Sequence, residues 1–235
     1  MKIQGKTVLI TGGCSGIGKI MGRLCLEKGA GQLVIWDINE SAIEATVKEF
    51  SALGKVNGFR ADISDPVSID AAFQATRNAC GEVDILINNA GIITNNYTFD
   101  RQTDQDIIRT IDINTKGAMF VALRYIRSMK ERGSGHICNI TSSAGMLALP
   151  KMSLYAASKW AAIGWSESVG IELEREKSPV KVTTIAPTSS TPACSMASAP
   201  SSASKNPKRW PGRPCVPLKR IPATRESPSR NISSA

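Results

Sequence analysis

Six short apolar runs, at 7–10, 33–37, 56–61, 85–88, 136–141 and 181–185, recur along the chain with longer amphipathic stretches between them. Each run is too short for a helix and is bounded by longer amphipathic stretches, which predicts the strands of a parallel sheet. The stretches at 16–28, 40–53, 66–80, 104–132 and 153–177 carry apolar residues at helical spacing, the fourth being long enough for one helix or two. Strict alternation of this kind specifies α/β architecture, a parallel sheet covered by helices on both sides. Right-handed crossovers then make the sheet doubly wound.

The alternation stops at Pro187. Residues 188–235 hold 11 Ser and 8 of the chain's 12 Pro without apolar periodicity, a composition that cannot assemble a core. We therefore expect one catalytic domain over 1–187 and a largely disordered Ser/Pro/Arg-rich tail over 188–235. The tail also explains the net charge of +9: it has eight Lys or Arg and one acid, whereas 1–187 has 21 basic and 19 acidic residues. Basicity confined to the tail argues against nucleic acid or an anionic membrane as partner, because the body offers no basic face. With neither a signal-like apolar run at the N-terminus nor 18 consecutive apolar residues anywhere, the chain reads as soluble, cytoplasmic and without a membrane span.

The six cysteines (Cys14, Cys25, Cys80, Cys138, Cys194, Cys215) include no C-x-x-C pair, so we expect free thiols and no metal site. The single histidine, His136, rules out a histidine triad or cluster and stands at a strand start, where a structural role is expected.

Between the first strand and first helix lies TVLITGGCSGIG, residues 7–18. Gly12, Gly16 and Gly18 permit a tight turn, a close approach of backbone to a pyrophosphate, and exposure of helix-end amides to the anion; Ser15 and Ile17 complete the loop. Taken alone, such a loop also fits an ordinary left-handed turn. Its placement after a strand and before a helix favours the dinucleotide reading in a Rossmann-type fold. Nineteen residues beyond Gly18, the run LVIWD ends in Asp37, whose carboxylate can accept from ribose hydroxyls and would repel a 2′-phosphate, so NAD is expected over NADP. Asp37 can instead serve the start of the following helix, where Asn39 and Glu40 stand. Asp62 and Ile63 close the third strand, as the flanks of an adenine or as a solvated loop.

Together TGGCSGIG at 11–18, NNAG at 88–91 and YAASK at 155–159 resemble the short-chain dehydrogenase/reductase (SDR) family, in its classical branch. The resemblance runs from Lys6 to Pro187 and implies a catalytic set of Asn114, Ser142, Tyr155 and Lys159. It implies reversible transfer of a hydride between NAD(H) and a small-molecule secondary alcohol or ketone. Tyr155 and Lys159, four apart on a helix, share one face, and the ammonium brings the phenol toward working pH; the family's lysine also holds the nicotinamide ribose. Ser142 would polarise the substrate oxygen, with Ser143 a neighbour that only the family's spacing sets aside. Asn114 resembles the family's helix-interrupting asparagine, which supports a water relay to the lysine; by itself it reads as a cap or solvated residue. Of NNAG, Asn88 is expected to bond across the sheet, Asn89 and Ala90 to border the cofactor, and Gly91 to leave room on the adenosine side; Pro187 borders the cofactor after the sixth strand. Residues 145–152, GMLALPKM, either line a lipophilic pocket of the steroid or retinoid kind or belong to the core. The family forms dimers or tetramers, so a homodimer or homotetramer is implied.

After Pro187 the family continues with a Thr-Gly loop over the nicotinamide, a substrate-binding lid, another helix and a seventh strand; here TSSTPACSMAS follows. One base added ahead of its codons allows YFINTGMFDGV, which restores the Thr-Gly loop. We read the tail as out of frame, with the last strand and helix missing and activity impaired. A different class of function, a nucleotide-binding scaffold without turnover, would not need all four catalytic side chains.

Overall fold

The structure, a computed structural model, describes residues 2–188. The expectations for the tail, Thr188 apart, lie outside the described residues. Six strands form one parallel sheet in the order β3-β2-β1-β4-β5-β6. They are β1 (Thr7–Thr11), β2 (Gln32–Asp37), β3 (Val56–Arg60), β4 (Ile85–Asn88), β5 (His136–Ile140) and β6 (Lys181–Ile185). Each expected strand is present, and boundaries differ by one residue at most. Chain order reverses between β1 and β4, which opens a crevice beyond their carboxyl ends.

The helices are α1 (Gly16–Glu27), α2 (Glu40–Phe50), α3 (Pro66–Cys80), α4 (Asp104–Ile111), α5 (Ala118–Glu131) and α6 (Ser153–Arg175). Period-2 alternation sends Val8 and Ile10 to one face with Leu33, Ile35 and residues of α1 and α2. Leu9, Val34 and Trp36 go to the other face, among residues of α3, α5 and α6. Trp36 and Phe50 are fully buried, one in each layer, and burial of such a ring contributes roughly 1.5–3 kcal/mol. The indole N–H of Trp36 donates to Thr76 Oγ1 at 2.8 Å, so its one polar atom is satisfied inside the core.

Local signals set the helix starts. Asp65 accepts from Val67 N at 2.9 Å ahead of Pro66, and Thr103 forms a capping box with Asp106. Asn39 accepts from Ala42 N at 3.1 Å and caps α2. The cap role considered for Asp37 thus belongs to Asn39. Between α4 and α5 the expected helix widens into a π-helical turn at Asp112–Gly117. A Cβ on Gly117 would come within 2.8 Å of Ile63 O, so this close crossing requires glycine.

Candidate active site

The residues expected of the site lie at or follow the carboxyl ends of the six strands, or stand in the π-helical turn (Asn114) and on the first turns of α6 (Tyr155, Lys159). The glycine loop follows β1, and Gly12 and Gly16 have φ of +64° and +50°. A Cβ on Gly12 would stand 2.9 Å from Ala90 Cα, whereas around Gly16 there is nothing within 4 Å. Gly12 is therefore a packing glycine, and Gly16 offers bare backbone to the cavity. Gly18 is packed harder, since a Cβ there would sit 2.2 Å from Gly12 O. Asn89 clasps the loop from β4, its Nδ2 donating to Thr11 O at 3.0 Å and Gly12 O at 3.1 Å. Asn88 Nδ2 donates to Asn139 Oδ1 on β5 at 2.9 Å, the cross-sheet bond expected of it. Serine 15 precedes α1 without a side-chain bond to its amides, so the first turn has no internal cap.

Asp37 lies at the end of β2, where Oδ2 accepts from Cys14 N at 3.2 Å and Oδ1 from Asn39 N at 3.2 Å. These bonds aim the carboxylate into the crevice beside the glycine loop. Burial, reinforced by the Asp37 charge, pushes the Cys14 thiol up to about 11, which keeps it protonated and inert. Asp62 and Ile63 come just after β3 rather than inside it. Asp62 is organised locally, accepting from Ser64 N at 2.9 Å, and Ile63 is buried.

The catalytic candidates converge from three elements. Tyr155 and Lys159 occupy the first turns of α6, with Lys159 Nζ 5.7 Å from the Tyr155 ring centroid. Lys159 is buried, and desolvation pushes its ammonium down to about 8. Its Nζ donates to Ile140 O at 3.2 Å. Gly91 is close by: a Cβ there would be 3.4 Å from Lys159 Nζ and 3.1 Å from Asn114 Oδ1. This places Gly91 beside Lys159 and Asn114 in the crevice.

Asn114 sits in the π-helical turn and is buried, so it is neither a cap nor solvated. Its Oδ1 accepts from Ile92 N at 2.7 Å and its Nδ2 donates to Ile92 O at 2.8 Å, pairing like one rung of a sheet. Ser142 follows β5 by two residues and accepts from Ala144 N at 3.2 Å, leaving its O–H to donate elsewhere. Pro187 O accepts from Ser143 N at 3.0 Å, which fastens the exit of β6 beside Ser142 and gives Ser143 a structural task.

One cavity of about 560 Å³ takes in Gly12, Ser15, Gly16, Ile17, Asp37, Asp62, Ile63, Asn89, Ala90, Gly91, Tyr155 and Lys159. Gly18, Asn114, Ser142 and Pro187 do not line it; the first two support it from behind. Ile38, Ile92, Ile93, Ile113 and Thr141 line it as well and were not anticipated. Their signal in the sequence was only that Ile38, Ile92, Ile113 and Thr141 adjoin an anticipated residue and that Ile93 lies two beyond Gly91. The bare backbone at Gly16, the carboxylate of Asp37 and the buried ammonium of Lys159 suit a dinucleotide, with a pyrophosphate in the middle and a ribose on each side of it.

Met146, Leu147 and Leu149, between Ser142 and Tyr155 in sequence, are 52%, 56% and 37% exposed, which sets aside a core role for them. Cys14, Cys25, Cys80 and Cys138 are free thiols, and no acid, His or Cys group among the described residues could hold a metal. His136 Nε2 pairs with Thr183 Oγ1 at 2.8 Å, a bond between β5 and β6. No helix among the described residues is long and apolar enough to cross a membrane.

The family model for short chain dehydrogenases matches residues 6–201. A relative named 2-dehydro-3-deoxy-L-rhamnonate dehydrogenase (NAD(+)), from Sphingomonas, is 37% identical over 73% of this chain and 68% of its own length. Mouse epidermal retinol dehydrogenase 2 is 32% identical over 79% of the chain, which spans 60% of that protein; for human estradiol 17-beta-dehydrogenase 11 the values are 33%, 79% and 62%. The chain thus spans about three fifths of these two relatives. Among solved structures, a Burkholderia phymatum short-chain dehydrogenase/reductase in complex with NAD superposes with a TM-score of 0.76 at 29% identity, over 80% of this chain and 67% of that one.

Proposed function

Because this chain belongs to the short-chain dehydrogenase/reductase family, an oxidoreductase family that uses a nicotinamide cofactor, we propose that it interconverts a secondary alcohol and its ketone with NAD(H). The observation that carries the reading is the meeting of Tyr155 and Lys159 with the glycine loop and Asp37 in one cavity.

When bound, the nicotinamide supplies the hydride acceptor or donor at its C4. Gly12, Ser15, Gly16 and Ile17 hold the pyrophosphate side, Asp37 the adenosine ribose, Asp62 and Ile63 the adenine, and Lys159 the nicotinamide ribose. Tyr155 Oη removes the hydroxyl proton of the alcohol while the carbinol C–H pair leaves as hydride, so the carbon is oxidised by two electrons. In reduction Tyr155 returns that proton to the ketone oxygen. The nearby Lys159 ammonium stabilises negative charge on the phenol oxygen, and Ser142 O–H donates to the substrate oxygen. Asn114 secures the strand-end segment at Ile92 behind them.

Asp37 supports NAD over NADP, since a 2′-phosphate would meet a carboxylate held in place by two amides. A lipophilic substrate is supported by the exposed Met146, Leu147 and Leu149, and the names of the retinol and estradiol relatives agree with it. A cytoplasmic location and a homodimer or homotetramer complete the proposal. We further propose that the tail is out of frame with the domain and lowers turnover.

The test is to follow reduced nicotinamide with purified full chain, NAD or NADP, and a panel of sugar acids, steroids, retinol and short secondary alcohols. Tyr155→Phe should lose about 1,000-fold in kcat, within the range typical of positioned acid–base groups, with cofactor affinity unchanged. Turnover that survives Tyr155→Phe undiminished would refute the proton-transfer role.

A further inference from the structure

Between the π-helical turn and the catalytic turn of α6 lies one side chain whose type the motif YAASK does not explain. Ser158 is completely buried, flanked in sequence by the exposed Ala157 and by Lys159. Its Oγ donates to Tyr155 O at 2.7 Å and accepts from Asn114 Nδ2 at 3.1 Å. Its carbonyl accepts from Thr115 Oγ1 at 3.1 Å. Two successive residues of the π-helical turn therefore grip the hydroxyl and the backbone of a single serine.

We propose that Ser158 is a positioning residue for the Tyr155–Lys159 pair, fixing the catalytic turn of α6 against the segment that Asn114 holds at Ile92. The proposal rests on the dehydrogenase reading above. Lys159 Nζ sits in a slot between Gly91 on one side and Ile140 O on the other, and a Cβ on Gly91 would touch the ammonium at 3.4 Å and crowd Asn114 Oδ1 at 3.1 Å. The slot has two walls, on β5 and on the segment after β4. Asn114 ties the second wall to Ser158, next in sequence to the lysine itself. Without the hydroxyl, one Nδ2 hydrogen of Asn114 loses its partner where water has no access, and the least costly relief is for the turn and α6 to separate. The ammonium would then gain solvent and move relative to the phenol.

The experiment compares full-length wild type with Ser158→Ala, Ser158→Cys and the control Ser168→Ala. Ser168 also donates to a helix carbonyl, Gly164 O, but from an exposed position on α6. Cysteine fills nearly the same space with a weak acceptor and carries the alanine expectations if the alanine variant does not fold. We expect kcat to fall about tenfold, a typical consequence of misplacing an acid–base group, with the cofactor KM within about twofold. The pH of half-maximal kcat should shift, and Ser168→Ala should match wild type. A readout that needs no turnover is the titration of Lys159 followed by NMR of 13C-lysine-labelled protein. There the Lys159 midpoint should rise in Ser158→Ala toward that of a solvated lysine.

A variant with lower melting temperature but unchanged kcat, pH profile and Lys159 titration overturns the proposal, since Ser158 would then be structural alone. Should wild type turn over none of the alcohols, the dehydrogenase reading fails by itself. The lysine titration still decides on Ser158: a shift supports the positioning role and an unmoved midpoint overturns it.

Discussion

Replacing Lys159 with methionine should stabilise the chain at neutral pH, and the gain should fade as the solution becomes alkaline. Lys159 is 5% exposed, and burial pushes its ammonium down to about 8 from an ordinary 10.5. A difference of about 2.5 units, at 1.36 kcal/mol each, makes the buried charge cost about 3 kcal/mol of folding free energy. Below pH ~8 the amine is protonated in folded and unfolded chains alike, and the folded state bears the full cost. From there to pH ~10.5 the unfolded chain binds more protons, so stability climbs with pH; above that range the amine is neutral in both states and the cost is gone. Methionine has similar length and no charge, hence no such slope. The bond to Ile140 O is lost at every pH and adds only a constant. Urea denaturation of both proteins in parallel, from pH ~7 to ~11, isolates the effect because all other titrating groups are common to the two. The advantage of Lys159→Met should shrink by about 3 kcal/mol over that range, while its turnover is abolished. A difference that stays flat with pH refutes the reasoning.

Further perturbations probe the other parts of the site. Gly18→Ala puts a Cβ 2.2 Å from Gly12 O, a clash that backbone movement must relieve at about 3 kcal/mol or more; an unaltered melting temperature would contradict it. Asp37→Ala should raise the ratio of kcat/KM with NADP to that with NAD by about tenfold, equivalent to ~1.4 kcal/mol; equal ratios before and after would remove Asp37 from cofactor choice. Inserting one base after the codon for Pro187 should raise both melting temperature and turnover. Equal values for the two chains would sink the out-of-frame reading of the tail.

Much of this fold was legible because periodicity and punctuation agree. Alternating faces in TVLIT and LVIWD, Asp-Pro ahead of α3 and the glycines after β1 each report a local constraint, and local constraints survive in sequence. The π-helical turn was legible only through the resemblance, as the interruption that Asn114 implies. Asp112 and Lys116, an i,i+4 ion pair at 2.7 Å, look like any helix surface, and the close crossing of Gly117 over Ile63 is a tertiary contact that local pattern does not report. The catalytic side chains were readable only as a resemblance, since a Tyr and a Lys one turn apart are ordinary on helices. The packing of Gly91 against Asn114 and Lys159 was not legible, because these neighbours come from elements 23 and 68 positions further on. Ser158 escaped for the same reason: its partners are tertiary.

The clasp of Asn89 on the glycine loop has a consequence for how this protein comes to be. Thr11 and Asn89 are 78 residues apart, and the crevice floor exists only once β4 has docked beside β1. That closure carries the entropy of a long loop and comes after local helices have formed. During refolding, affinity for a dinucleotide should therefore emerge late, behind helical signal. A nascent chain that has not yet presented β4 has the glycines of the loop after β1 and no cradle.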